Sequence, residues 1–127
     1  MNKQFVAPKD GPKPVGPYSP GVLVNGFLFV SGQIPLNPGT GQMAADSFAA
    51  QARQTLENLK SVVEAAGAAL DDAVKVTIYL TDLKNFAELN SIYEEYFSQG
   101  KPARACIQAA ALPKGADIEI DAIVAVK

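Results

Sequence analysis

Two rhythms of apolar residues run through this chain of 127 residues. One has period two, the mark of a strand with one buried face. The other has spacings of three and four, the mark of a helix stripe. Val22-Leu23-Val24 and Phe27-Leu28-Phe29-Val30 flank Asn25-Gly26, the favoured pair for a type I′ turn, and predict a hairpin. Phe48, Ala52, Leu56, Leu59, Val63 and Ala66 make one helical stripe, with Asp46 as the expected N-cap and Gly67 as the stop. Val74 to Leu80 alternates as a half-buried, β-branched strand. A second helix is expected from about Asn85 to Ser98, with Phe86, Leu89, Tyr93, Tyr96 and Phe97 inward and Gly100 as its stop. Asn90 lies on that stripe, where a polar group needs a partner, and is expected to satisfy buried backbone there.

The last quarter alternates twice. In the first run Ala103, Ala105, Ile107 and Ala109 form the apolar side, with Arg104, Cys106 and Gln108 opposite. In the second, Ile118, Ile120, Ala122, Val124 and Val126 stand against Asp117, Glu119 and Asp121. Period-two logic therefore puts a guanidinium, a thiol and carboxylates on the non-core faces of two strands. Such a surface is either solvated or the floor of a polar site. The loop at 110–116 allows a hairpin between the two runs or a skip over one strand, and that choice sets how far Arg104 lies from Glu119.

Gln4-Phe5-Val6 adds an edge strand. Pro8 to Pro20 holds five prolines, which fix φ and remove donors, so a stiff extended loop is expected. Gly32, at the end of the hairpin's second strand, marks a bend or a close approach to backbone. The order strand, hairpin, helix, strand, helix, strand, strand predicts one α+β domain over residues 1–127. Residues 74–80, the second helix and 103–109 form a parallel, right-handed βαβ unit, and both helices cover one face of a mixed sheet. The other face is left partly bare, so the chain is expected to oligomerise.

Composition narrows the chemistry. A 48% hydrophobic, 19% charged chain can fold and excludes a disordered one. The net charge is −2 and the eleven basic residues are dispersed, so no nucleic-acid partner is expected. There is no His and one Cys. That excludes imidazole bases, Cys-His pairs, disulfides within the chain and cysteine-rich zinc sites, and no metal is expected. Met1 to Lys13 has no apolar core of a secretory signal, and no run reaches membrane-span length, so a cytoplasmic protein without a membrane partner is expected.

Gly16-Pro17-Tyr18-Ser19, Phe29-Val30-Ser31-Gly32-Gln33-Ile34-Pro35, Pro102-Ala103-Arg104-Ala105-Cys106, Leu112-Pro113-Lys114-Gly115-Ala116 and Ile118-Glu119-Ile120-Asp121-Ala122 resemble the reactive intermediate deaminase (Rid, YjgF-type) family, within it the RidA group. The resemblance spans essentially the whole chain, including Leu56-Glu57-Asn58-Leu59 and the region of Asn90 and Tyr93. It implies a chorismate-mutase-like fold with one six-stranded sheet, two helices on one face, and a homotrimer with sites between subunits. It favours the skip, with the last strand inserted centrally and antiparallel. It also implies hydrolysis of 2-imino acids, such as 2-iminobutanoate and 2-iminopropanoate, to 2-oxo acids and ammonia. No cofactor is implied. These imines tautomerise with enamines released by pyridoxal-phosphate enzymes and damage such enzymes if they persist. Pro20 and Gly21 follow the Tyr-Ser pair where many relatives have Gln-Ala.

Carried over motif by motif, Arg104 binds the substrate carboxylate and Glu119 positions or activates water. Tyr18, Ser31, Gly32, Asn90 and Cys106 line or support the pocket. Each has a plainer reading: a surface charge for Arg104, a solubilising carboxylate for Glu119, a turn aromatic for Tyr18, strand-end punctuation for Ser31 and Gly32. The resemblance, not the alternation, favours the first set for Arg104 and Glu119. A planar guanidinium grips a carboxylate with two parallel hydrogen bonds, and one tuned carboxylate can take and return protons as water adds to an iminium. Gly32 also offers an N–H to an anionic oxygen. Cys106 has no base nearby in sequence and reads as pocket wall, and Lys114 as a solvated turn residue. The alternative function is a trimeric module that binds or regulates through a small ligand without turnover.

Overall fold

Asn25 and Gly26 both take left-handed backbone, φ 52° and 79°, and close the hairpin as their sequence predicts. The computed structural model describes residues 2–127. Its strands are β1 (Gln4–Val6), β2 (Gly21–Val24), β3 (Phe27–Gln33), β4 (Ala73–Leu80), β5 (Ala103–Gln108) and β6 (Ile118–Ala125), and its helices are α1 (Phe48–Ala65) and α2 (Phe86–Tyr96). The strands form one mixed sheet in the order β1-β2-β3-β6-β4-β5. β6 lies antiparallel between β3 and β4, and β5 runs parallel to β4. The chain therefore skips a strand after β5, and its last strand is central.

Both helices cover one face. α1 buries Ala52, Leu56, Leu59, Val62 and Val63, and α2 buries Leu89, Ile92 and Tyr93, with Phe97 just beyond. They pack on Leu28, Val30, Val76, Ile78, Leu80, Ile118, Ile120, Ala122 and Val124. Each fully buried Leu or Ile stabilises the fold by about 1.5–3 kcal/mol relative to exposure, so this layer dominates folding. Buried Asn58 ties the helix to the loop after β3, donating to the carbonyls of Ile34 and Leu36 at 2.9 and 2.8 Å. Gln51 and Asp117 exchange two hydrogen bonds that fix the start of β6 on α1.

Three expectations are corrected. The α1 cap is Ser47, whose Oγ accepts from the Ala50 N–H at 3.0 Å; Asp46 lies one residue too early. Phe86 stays 38% exposed, while Ile92, absent from the expected stripe, is buried. The faces of β5 are the reverse of those expected. Arg104, Cys106 and Gln108 pair laterally with core-facing Val76, Ile78 and Leu80, so they share the helix-covered face. Ala103, Ala105 and Ile107 turn outward with Lys75, Thr77 and Tyr79. Alanines bury too little apolar area to dictate a face on an edge strand, and pairing with β4 decides it.

The sheet's other face carries no helix. One lateral row crosses all six strands as Phe5, Val22, Phe29, Ile123, Lys75 and Ala103. Phe5 is 69% exposed, Phe27 and Phe29 44%, and Ile107 49%. No helix among the described residues is long and apolar enough to cross a membrane.

Candidate functional site

Between the pairs Val30–Ala122 and Gln33–Ile120, β3 contains two residues and β6 one. This β-bulge at Ser31-Gly32 lies opposite Asp121 and re-aims the local backbone. Ser31 Oγ donates to the Ser19 carbonyl at 2.6 Å, and the Ser31 N–H donates to the Pro20 carbonyl at 2.9 Å. The proline loop is thus pinned to the bulge. Within that loop the Tyr18 hydroxyl accepts from the Val15 N–H at 3.3 Å.

Glu119 alternates with core-facing Ile118 and Ile120 and therefore lies on the bare face, beside Tyr79 on β4. Its side chain lies across Gly32. A Cβ at Gly32 would overlap the Glu119 Oε2 and sit 2.8 Å from its Cδ, so only glycine leaves room for this carboxylate. Val15, Tyr18, Ser31, Gly32, Ile34, Pro113 and Glu119 enclose an open cavity of about 270 Å³. Burial, then the neighbouring Asp121 carboxylate, push the Glu119 carboxyl above its ordinary range. Asp121 accepts from the Tyr79 hydroxyl at 3.0 Å. Glu119 has no ion pair or side-chain hydrogen bond among the described residues.

Arg104 occupies the opposite face. Its guanidinium carbon lies 4.8 Å from the centroid of Tyr93 and 5.5 Å from that of Phe86. Such stacking holds a planar cation by its face and leaves its N–H edge available. Tyr93 is itself stacked on Phe97, with centroids 4.4 Å apart. Arg104 likewise has no ion pair or side-chain hydrogen bond among the described residues. Burial pushes the Tyr93 hydroxyl up to about 12, with Arg104 opposing. Half-buried Cys106, two residues along the same strand face, has its thiol pushed up by burial, again with Arg104 opposing. A thiol so raised is a poor nucleophile at neutral pH, in keeping with the pocket-wall reading.

The residues expected from sequence thus fall into two groups. Tyr18, Ser31, Gly32 and Glu119 share one cavity; Arg104, Asn90 and Cys106 lie with the helix-covered face. One chain does not bring the groups together. The expectation that the guanidinium, the thiol and the Glu119 carboxylate share non-core faces is overturned by the pairing of β5 with β4 and of β6 with β3. Among the described residues Asn90 makes no hydrogen bond to backbone, contrary to expectation; its Oδ1 is buried there without a partner, as is the Tyr93 hydroxyl. The apolar stripe predicts Phe86 and Tyr93 as core residues and gives no sign of their place under Arg104. Their spacing around Asn90, four before and three after, puts the three on one helix face but does not name what that face meets. No cluster of three or more His, Cys, Asp or Glu suited to a metal ion occurs among the described residues.

Comparison with known proteins agrees with this architecture. A family model described as endoribonuclease L-PSP matches residues 8–126. A RutC family protein of Aquifex aeolicus is 50% identical over 127 residues, covering 98% of this chain and 99% of that protein. The 2-iminobutanoate/2-iminopropanoate deaminase of Escherichia coli K12 is 47% identical over 121 residues, covering 93% of this chain and 94% of its own. The crystal structure of E. coli TdcF with bound serine superposes with a TM-score of 0.92 at 40% identity, covering 98% of this chain and 99% of that one. The bulge motif, the Arg104 strand and the Glu119 strand lie inside the matched span, and the chain belongs to the YjgF/RidA family.

Proposed function

We propose that this protein hydrolyses 2-imino acids, 2-iminobutanoate and 2-iminopropanoate among them, to 2-oxo acids and ammonia. The site is assembled from the Glu119 cavity of one subunit and the Arg104 edge of the next in a homotrimer. The observation that carries the reading is the separation itself. A carboxylate and a guanidinium, each without an ion-pair partner among the described residues, sit on opposite faces of one sheet whose bare face exposes Phe5, Phe27, Phe29 and Ile107. The deaminase of E. coli at 47% identity supports the reaction class.

Arg104 grips the substrate carboxylate through two parallel hydrogen bonds, which fixes the adjacent C=N carbon in space. Glu119 takes a proton from water as the water oxygen bonds to that carbon of the protonated imine (the iminium form), giving a neutral carbinolamine. It then returns the proton to the amine nitrogen. The C–N bond breaks as C=O forms, the hydroxyl proton passes to Glu119, and ammonia leaves with it as ammonium. A carboxyl held above its ordinary range is a stronger base toward the attacking water, and it holds the proton until the more basic amine nitrogen takes it. Tyr18 and Ser31 shape the cavity wall, Gly32 gives Glu119 its place, and Cys106 and Asn90 line the Arg104 side.

Co-expression of Arg104→Ala with Glu119→Gln chains tests both parts. Imine is generated in situ by threonine dehydratase and its decay followed. Each variant alone is expected to be inactive, while random mixed rings recover roughly a quarter of wild-type sites, because a Glu119 chain meets an intact Arg104 chain at one contact in four. No recovery would place the site within one chain. No acceleration by the wild type would sink the enzymatic reading. A second reading, binding of a small amino or oxo acid without turnover, has one observation in its favour, the serine bound to E. coli TdcF. It predicts saturable 2-oxo acid binding with no imine decay.

A further inference from the structure

Apart from the residues of the proposed reaction, a larger cavity of about 550 Å³ opens beneath the proline loop. Three lysines line it: Lys9 and Lys13 from that loop, and Lys114 from a turn about a hundred residues later in the chain. No Asp or Glu lines it, although acidic residues outnumber basic ones in the whole chain, 13 to 11. None of the three ammonium groups has an ion pair or hydrogen bond among the described residues, whereas Lys84 and Lys101 pair with Asp82 and Glu94. Lys114 is also held with φ 56° and ψ 25°, a left-handed conformation rarely adopted by a residue with a Cβ. A strained residue lining a cavity points to a function for that geometry. Prolines 8, 12 and 38 wall the space, so its shape is set by rigid backbone.

We infer that this cavity binds a small organic phosphate ester, with Lys9, Lys13 and Lys114 meeting the phosphate as point charges. Lysine clusters suit phosphate, whose charge is spread over several oxygens. The volume falls in the range of small-molecule sites and exceeds what a bare phosphate fills. Val15 lines both this cavity and the Glu119 cavity, so an occupant here bears on the loop that carries Tyr18. The inference is independent of the reaction proposed above, and its test does not read activity.

Isothermal titration calorimetry at low ionic strength, where lysine–phosphate attraction is least screened, compares glucose 6-phosphate, inorganic phosphate and glucose on the purified protein. Saturable binding of the ester is expected, with inorganic phosphate weaker by about tenfold or more and glucose silent. The Lys9→Gln/Lys13→Gln/Lys114→Gln variant should lose about tenfold or more in affinity. A charge-matched control, Lys60→Gln/Lys84→Gln/Lys127→Gln, should lose little. Amide chemical shifts of the wild type, which do not depend on any variant folding, should move at the non-proline residues of 9–15 and 37–41 and at 114. The inference is overturned by absence of saturable ester binding, by equal loss in the control, by inorganic phosphate binding as tightly as the ester, or by shifts spread over the whole surface.

Discussion

The two halves of the candidate site are built on opposite principles. Glu119 is held by absence: a missing side chain at Gly32, a bulge in β3 and a proline loop leave a space that the carboxylate occupies. Arg104 is held by presence, stacked on Tyr93, which rests on Phe97, with Phe86 beside it. Each positions a charge without an ion-pair partner among the described residues. An internal salt bridge would satisfy both groups and leave neither free for a substrate. Placing them on opposite faces of one sheet prevents that pairing by geometry. That leaves each available to a ligand or to a second copy of the chain.

Substitutions on each half break or sharpen this contrast. The largest effect is expected from Arg104→Ala, which removes the proposed carboxylate grip. Imine-hydrolysis kcat/KM should fall on the order of 10²–10³-fold, with the circular dichroism spectrum unchanged. Gly32→Ala comes next and attacks the other half. The new methyl displaces the flexible end of Glu119, not backbone, so Tm should change little while kcat/KM falls on the order of 10²-fold. A large Tm loss with normal activity would show that the glycine serves folding alone.

A smaller effect separates stacking from charge. Arg104→Lys and Tyr93→Leu should each lower kcat/KM by roughly tenfold, because an ammonium loses the flat stacked geometry and leucine removes the platform. Tyr93→Phe keeps the ring and deletes a buried hydroxyl that has no partner, so activity and stability should hold or improve. Loss of activity in Tyr93→Phe would give the hydroxyl a role that the stacking account lacks.

The smallest effect is on pH dependence. Asp121 is the second cause, after burial, of the raised Glu119 carboxyl. Asp121→Asn should therefore shift the acid limb of the kcat/KM profile to lower pH, and an unmoved limb would contradict the coupling. Stability follows the same sign. A carboxyl whose folded value lies above its unfolded one binds more protons in the folded state between the two values. Its contribution is then lost as pH rises through that window and stays lost above it. Glu119→Gln should have a higher Tm than the wild type at neutral pH, with the gap closing as pH falls below the unfolded carboxylate range.

Much of this molecule was legible in its residue pattern. Asn25-Gly26 fixes a hairpin because few other pairs accept two left-handed residues in a row. The α1 stripe and the alternation of Ile118, Ile120, Ala122 and Val124 name the core, because large side chains lose too much by facing water. Those residues also fix which face Glu119 takes. The family motifs, long and spread along the whole chain, supplied the central placement of β6, which periodicity alone left open. What the residues could not announce was the face of β5. Its apolar side is mostly alanine, so the local preference was weak, and lateral pairing with Val76, Ile78 and Leu80 turned Arg104 toward the helices. Nor could sequence show that Phe86 and Tyr93 lie beneath the guanidinium, or that Gly32 is shaped around Glu119, since those contacts join segments that only the sheet and α2 bring together. Large hydrophobic side chains write their own burial into the sequence; a charge on an edge strand takes its face from its neighbours.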